Sequence, residues 1–462
     1  MTQNAKKLWI LMVVLTLCVP GLWAQRVNPV GPAAPIGEDE ESSSKRLDEP
    51  VKDAAKPDTR PLGGAETFSL GRLTEGQKYF RFNINASQRA GTTTGTGNRD
   101  VSGTSSLNGS FELRRSLPNS DLTAEYRGGG YFHTDHADRN TSVHLLSLRQ
   151  TWQKGRWNFL LGDQLNYTPD SPFSLTMAGQ LLNIAFNVGG ESNISPIFIP
   201  GQHVITGRTT RFGNSSVGQV QYRLGPRTSV FATAGYGFLN FSDPTFTDFT
   251  QKNALVGFER QITSSDSLGV NYGFSQFVFS KGGGRINNHT VRLAYGRRIT
   301  SRMALEVSGG PQISQFADPL LGPTQRLYWT VDGSLAYTLG RSRLGFSYRH
   351  ALNGGSGVLA GAQGDSINAS WNRRLTPRWN MDVNLGYSRS TGLRGFTTSV
   401  VRASYDTEYG SIRMSRKLAS DRSVYFGYYV THQTSTVAQG GFPLHHVVEV
   451  GFSWNPRSHR ID

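Results

Sequence analysis

From about residue 78 onward the chain alternates. In Trp379-Asn380-Met381-Asp382-Val383-Asn384-Leu385-Gly386-Tyr387-Ser388 every odd residue is apolar or aromatic and every even residue is polar or glycine. Successive side chains of an extended strand point to opposite faces, so strict alternation means a strand with one greasy face and one wet face. The pattern returns in Val230, Ala232, Ala234, Tyr236 and Phe238, in Leu344, Phe346 and Tyr348, and in Val424, Phe426, Tyr428 and Val430. Each run is about 10 to 13 residues, which at some 3.3 Å per residue and a tilt near 40° crosses the apolar band of an outer membrane.

Tight polar turns punctuate the runs: Leu117-Pro118-Asn119-Ser120-Asp121, Lys154-Gly155-Arg156, Gly225-Pro226-Arg227, Thr263-Ser264-Ser265-Asp266, Thr300-Ser301-Arg302, Gly340-Arg341-Ser342, Thr376-Pro377-Arg378 and Ala419-Ser420-Asp421-Arg422. They recur roughly every 36 to 44 residues, with one interval, between the second and third turns, about twice as long. Eight turns join sixteen strands, and unpaired runs near residues 78–86 and 446–454 bring the count to eighteen, with both chain ends on the short-turn side. The pattern predicts an all-β fold: a transmembrane antiparallel up-and-down β-barrel of about 18 strands, with 16 as the alternative, short periplasmic turns and long outer loops. A β-propeller packs four short strands into a repeat of this length, whereas only two long ones fit here.

The first residues read differently. Lys6 and Lys7, an apolar run over residues 8–19, and Ala24 before Gln25 have the layout of a cleaved signal peptide, residues 1–24. The one cysteine, Cys18, follows Leu17 where a lipoprotein signal carries a small residue, so it reads as part of the apolar run. The mature chain then has no thiol, which excludes disulfides and thiolate metal sites. Residues 25–75 are rich in proline and mixed charge without apolar periodicity and read as a disordered periplasmic arm; residues 76–455 form the barrel and 456–462 a tail. A hydrophobic fraction of 37% with 53 glycines is thin for a soluble core, but it fits a barrel in which only every second strand residue meets lipid. The net charge of +15 comes from arginines that recur at one place in each repeat rather than in one stripe, so no nucleic-acid partner is expected.

Tryptophan marks a level. Trp152 and Trp157 flank one short turn, Trp371 and Trp379 another, and Trp454 closes the last strand, as expected of a periplasmic aromatic girdle; Trp329 falls elsewhere. Through this hairpin pattern, residues 78–455 resemble the porin-type outer-membrane barrels. The last strand, Val447-Val448-Glu449-Val450-Gly451-Phe452-Ser453-Trp454, is similar to the C-terminal signal read by barrel-assembly machinery, although Glu449 stands where glycine is usual and eight residues follow Trp454. The resemblance implies outer-membrane lipid, lipopolysaccharide and the assembly machinery as partners, with a homo-oligomer left open.

No HExxH, CxxC, Walker lysine loop or GxSxG occurs, so no enzyme activity and no cofactor are expected. His350-Ala351-Leu352-Asn353-Gly354-Gly355-Ser356 resembles the histidine, serine and asparagine stretch of outer-membrane phospholipase A, but Leu352 stands where that family keeps its serine. His133, Asp135, His136 and Asp138 read as a solvated loop rather than a metal site. With the apolar set facing lipid, the lumen carries Glu112, Glu125, Glu259, Glu306, Asp332, Asp382 and Glu449, together with Arg114, Arg127, Arg292, Arg298, Arg349, Arg374 and Arg413. Such a wall serves both as register-holding ion pairs and as the lining of a water-filled pore for small solutes. Residues 168–209, after the fifth strand, are too apolar to lie unprotected in water, and they predict an inward-folded outer loop with Asp170, Glu191 and His203 at a constriction. The function expected is passive diffusion of small hydrophilic solutes, the alternatives being a non-conducting adhesive barrel or a polysaccharide export conduit.

Overall fold

The computed structural model describes residues 78–460 apart from 96–97, 135–139, 170–203, 206–208, 281–283, 319–321, 356, 394–402, 437–440 and 457–458. The segments read as signal peptide and periplasmic arm lie outside the described residues. Strands β1 (Lys78–Gly95), β2 (Asn98–Leu117), β3 (Ser120–His133), β4 (Thr141–Lys154), β5 (Trp157–Pro169) and β6 (Thr210–Gly225) lead the barrel. β7 (Thr228–Phe241), β8 (Phe249–Gln261), β9 (Asp266–Phe279), β10 (Arg285–Thr300), β11 (Met303–Asp318) and β12 (Gly322–Leu339) follow. β13 (Ser342–Gly355), β14 (Ala360–Arg374), β15 (Trp379–Gly392), β16 (Ser404–Lys417), β17 (Arg422–Ser435) and β18 (Phe442–Trp454) complete it. Each pairs antiparallel with its chain neighbour, and β18 pairs back onto β1, so the sheet closes without an edge. A two-residue strand, β19 (His459–Arg460), pairs with β1 at Tyr79 and Phe80. No helix among the described residues is long and apolar enough to cross a membrane; closure of the sheet is what satisfies the backbone in lipid.

All eight expected short turns join consecutive strands. Gly155 and Gly340 have φ of 58° and 52°, the left-handed conformation that a two-residue hairpin turn requires and that glycine adopts without strain. The connections at the other end are less uniform. Only the one between β5 and β6 is very long, and β1 and β2 run nearly into each other at Gly95 and Asn98.

The alternation sorts the side chains as physics demands. Outward positions include Leu107, Phe111, Leu161, Val256, Val270, Leu293 and Val450, all exposed. At the short-turn end, Trp152, Trp157 and Trp454 are exposed on the same face, and Phe82 packs edge-on against Trp454 at 5.6 Å. Nearer the other end, tyrosines meet histidines of the next strand: Tyr126 with His144 at 2.8 Å, Tyr272 with His289 at 2.7 Å and Tyr428 with His446 at 2.7 Å. Trp329, which fits no short turn, is 61% exposed on the outward face of β12, one outward position beyond Val331, the residue opposite His350. It belongs with this second girdle.

Candidate functional site: the bore and its inward-folded segment

The expected lumen residues all fall on the inward face. Glu112 stands opposite Glu125, Arg127 opposite Ser110, Glu259 opposite Ser229, Glu306 opposite Ser334, and Asp382 opposite Arg413. Arg298, Arg114 and Arg374 lie at its short-turn end, opposite Ala304, Thr123 and Asn380. Asp332 gathers two arginines, Arg292 at 3.1 Å and Arg349 at 2.7 Å, the first reaching it past β11. Arg127 pairs with Glu125, Arg81 with Glu112 at 3.8 Å, and Arg114 with Asp121 at 3.3 Å. Between the charges stand many inward amides and hydroxyls, among them Asn85, Asn108, Gln164, Asn271 and Ser308.

A denser cluster lies where β18 meets β1. Arg89 Nη2 donates to Glu449 Oε1 at 3.0 Å, with both side chains buried, and the hydroxyls of Tyr425 and Tyr429 donate to the same carboxylate at 3.3 and 2.7 Å. The Arg413 guanidinium sits 3.7 Å from the Tyr425 ring centre, a close cation–π contact. Glu449, which departs from the usual glycine of the terminal strand, is thus the group that anchors the closing seam.

The described end of the connection between β5 and β6 lies against the inward face. Within residues 168–209, Val204 and Ile205 are both buried, at 1% and 4% exposure. The Ile205 backbone N–H donates to Gln433 Oε1 at 2.7 Å and Gln433 Nε2 donates back to the Ile205 carbonyl at 2.8 Å. Gln433 lies on β17, and β5, β4, β3, β2, β1 and β18 separate β17 from β6 on the shorter way round the wall. Thr407 Oγ1 steadies the Gln433 amide at 3.0 Å, and Arg211 at the start of β6 donates to the Val204 carbonyl at 2.7 Å. Val204 packs with Leu359, Ala362 and Tyr405. Five residues of chain span at most about 18 Å, so at this level the way from β6 to β17 is no wider than that plus a glutamine side chain.

Beside this crossing, Leu239, Phe241, Phe249, Phe277, Phe279, Ile286 and Phe316, all on the inward face near the outer ends of β7 to β11, pack with Phe246 and with Leu393 beyond β15. The connection from β13 to β14 joins them: the Thr247 N–H donates to the Gly357 carbonyl at 3.0 Å, and Leu352 and Ala360 pack on the cluster. The outer end of the lumen is therefore apolar and packed, while the rest of the inward face is mainly polar, with smaller apolar patches at Val143 and Leu145, at Leu160 and Val217, and at Phe231.

Asp170, Glu191 and His203 lie outside the described residues. So do Asp135, His136 and Asp138, whereas His133 bonds Thr104 Oγ1 at 3.1 Å; no group of metal ligands occurs among the described residues. His350 stands on the outward face, where its Nδ1 lies 2.6 Å from Asp365 and its Nε2 2.9 Å from Gln363. Gln433, Arg211 and the phenylalanine cluster were not singled out by the sequence reading. The signal of the phenylalanines is a failure of alternation: in Gly237-Phe238-Leu239-Asn240-Phe241 and Phe277-Val278-Phe279 both faces turn apolar at the strand ends.

The resemblance to porin-type barrels holds for the architecture. By overall shape the chain is similar to two Pseudomonas aeruginosa proteins, OccK2 crystallised in complex with glucuronate and OpdQ, and to OccAB4 of Acinetobacter baumannii. Each is 10% identical, with TM-scores of 0.43, 0.43 and 0.42, covering 82%, 82% and 84% of this chain and 98%, 99% and 99% of those chains. No known family's sequence pattern matches the chain, and no curated protein matches it by sequence. Likeness at this distance does not carry a function across.

Proposed function

We propose that the chain is a passive diffusion channel for small hydrophilic solutes in the bacterial outer membrane, narrowed by the connection between β5 and β6. The closed sheet with an apolar outward band supports membrane insertion, and the amide, hydroxyl and ion-pair lining supports a hydrated path. The observation that carries the reading is the double hydrogen bond between Gln433 and the Ile205 backbone, which ties a crossing segment to the far wall. Discrimination is then by size at the crossing and by charge along the lumen arginines and carboxylates, with no covalent step.

Single-channel conductance in a planar bilayer tests it. The wild type should give discrete openings, and Gln433→Ala, which removes both bonds, should give larger or more frequently fluctuating ones. Replacing residues 175–199 by a short Gly-Ser linker should enlarge conductance further and admit bulkier sugars. A correctly folded wild type that never conducts would leave the non-conducting barrel as the better reading, with the apolar packing of the outer end as its plug.

A further inference from the structure

Between its two girdles the outward surface carries a carboxyl on β5. On β5 the outward residues run Trp157, Phe159, Leu161, Asp163, Leu165 and Tyr167, so a carboxyl stands midway between the aromatic ends of an otherwise apolar row. The neighbouring row on β6 runs Tyr222, Val220, Gly218, Ser216, Asn214 and Phe212, and the register sets Ser216 opposite Asp163 and Asn214 opposite Leu165. Asn214 Nδ2 donates to both carboxyl oxygens at 3.1 and 3.3 Å, and Ser216 Oγ donates to one of them. The other outward carboxyls of the outer half, Asp365, Asp406 and Glu408, sit at girdle level, where Tyr348 donates to Asp365 and Tyr387 to Asp406. Asp163, the seventh residue of β5 as Tyr348 is of β13, stands one outward position nearer the short turns than Asp365, which lies opposite His350. An ionisable group facing hydrocarbon is costly and marks a place where something other than lipid is met.

We propose that β5 and β6 form a two-fold interface with a second copy of this chain, centred on Asp163, Asn214 and Ser216. The patch complements itself, because Asp163 accepts while the amide of Asn214 and the hydroxyl of Ser216 donate. An axis along the membrane normal between β5 and β6 sets Asp163 of each copy against Asn214 and Ser216 of the other, as an isologous contact requires. The outward rows of Val230, Ala232 and Ala234, of Leu268 and Val270, or of Phe426 and Val424 bring no such carboxyl and donors together. The surface beside the patch is low. A Cβ on Gly218 would meet nothing within 4 Å, and Ala232 and Ala234 are exposed on β7, so backbones can approach closely without a desolvated void.

Thiol cross-linking in membranes reads this contact without reference to conductance. In a Cys18→Ser background, Gly218→Cys treated with a short bifunctional maleimide should give a product of twice the chain mass. Val307→Cys, outward on β11, should stay monomeric. Adding Asp163→Leu to Gly218→Cys should lower the dimer yield at least several-fold, with the mobility shift on boiling confirming that each variant is folded. Equal yields from Gly218→Cys and Val307→Cys, a product of another mass, or a yield untouched by Asp163→Leu would each overturn the proposal.

Discussion

Arg89 and Glu449 face each other across the last pair of strands to close, and their side chains are 8% and 3% exposed. Burying two charges is unfavourable unless each finds partners, and here two tyrosine hydroxyls complete the carboxylate's shell. Removing one member leaves the other charged and dry, which costs about 3 to 5 kcal/mol in buried pairs. Arg89→Ala is therefore expected to lower the temperature at which the barrel loses its unboiled gel mobility, and to slow its refolding into detergent micelles. Arg81 is the control. Its side chain is 52% exposed and lies 3.8 Å from Glu112, and such screened pairs contribute roughly 0 to 1 kcal/mol. Arg81→Ala should match the wild type in the same heating series. Equal losses from the two substitutions would mean that the seam is held by its backbone ladder alone.

The strands and their turns were legible because alternation and turn chemistry are local. Trp379 to Ser388 shows both faces of β15 by itself, and each of the eight turns announces itself within a few residues. The outward and inward sets followed directly, which is why Arg292, Asp332 and Arg349 stand on the face expected for them. The occupants of the bore were legible only in outline. The apolar content of residues 168–209 pointed inward, but the bond that fixes the described part joins residues 228 apart, and a single glutamine on β17 carries no sign of it. The inward phenylalanines of β7 to β11 were hidden for a related reason: they follow strand periodicity on their own face and stand out only against an equally apolar opposite face. The β13 to β14 connection that meets them depends on backbone conformation. Gly355 has φ of 81°, and a Cβ there would come within 1.8 Å of the Leu359 carbonyl oxygen. Gly355→Ala should therefore displace this connection at a cost of about 1 to 3 kcal/mol, loosen the packing at Phe249, and raise single-channel conductance while the boiled and unboiled mobilities stay as in the wild type. Unchanged conductance would place the solute path away from this connection.

At the scale of the whole barrel, closure and charge decide the observable behaviour. A sheet with every backbone group paired resists detergent until heated, so unboiled samples should migrate differently from boiled ones on a denaturing gel, and identical mobility would contradict the fold. Charge is subtler, since arginines shortly before the short turns fall on both faces. The sequence suggests one positive ring at the periplasmic rim, but the alternation divides it. Arg115, Arg297, Arg373 and Arg416 point outward, where Arg373 lies over Trp371 at 6.0 Å and Arg416 over Trp379 at 5.5 Å. Arg114, Arg298 and Arg374 point into the bore. The outward set lies across the wall in the headgroup region, and at about 0.1 M salt the screening length is roughly 10 Å, so it adds little to the potential an ion meets inside. The inward set acts on the path directly, diluted by the lumen carboxylates Glu112, Glu125 and Asp382. The wild type should therefore show a modest anion preference in a salt gradient. Reversing the inward pair, Arg298→Glu with Arg374→Glu, should move the reversal potential clearly toward cations. Reversing the outward pair, Arg297→Glu with Arg373→Glu, makes the same change in net charge and should leave it nearly where it was. Equal shifts from the two pairs would show that selectivity follows the charge of the whole rim rather than the face on which each arginine stands.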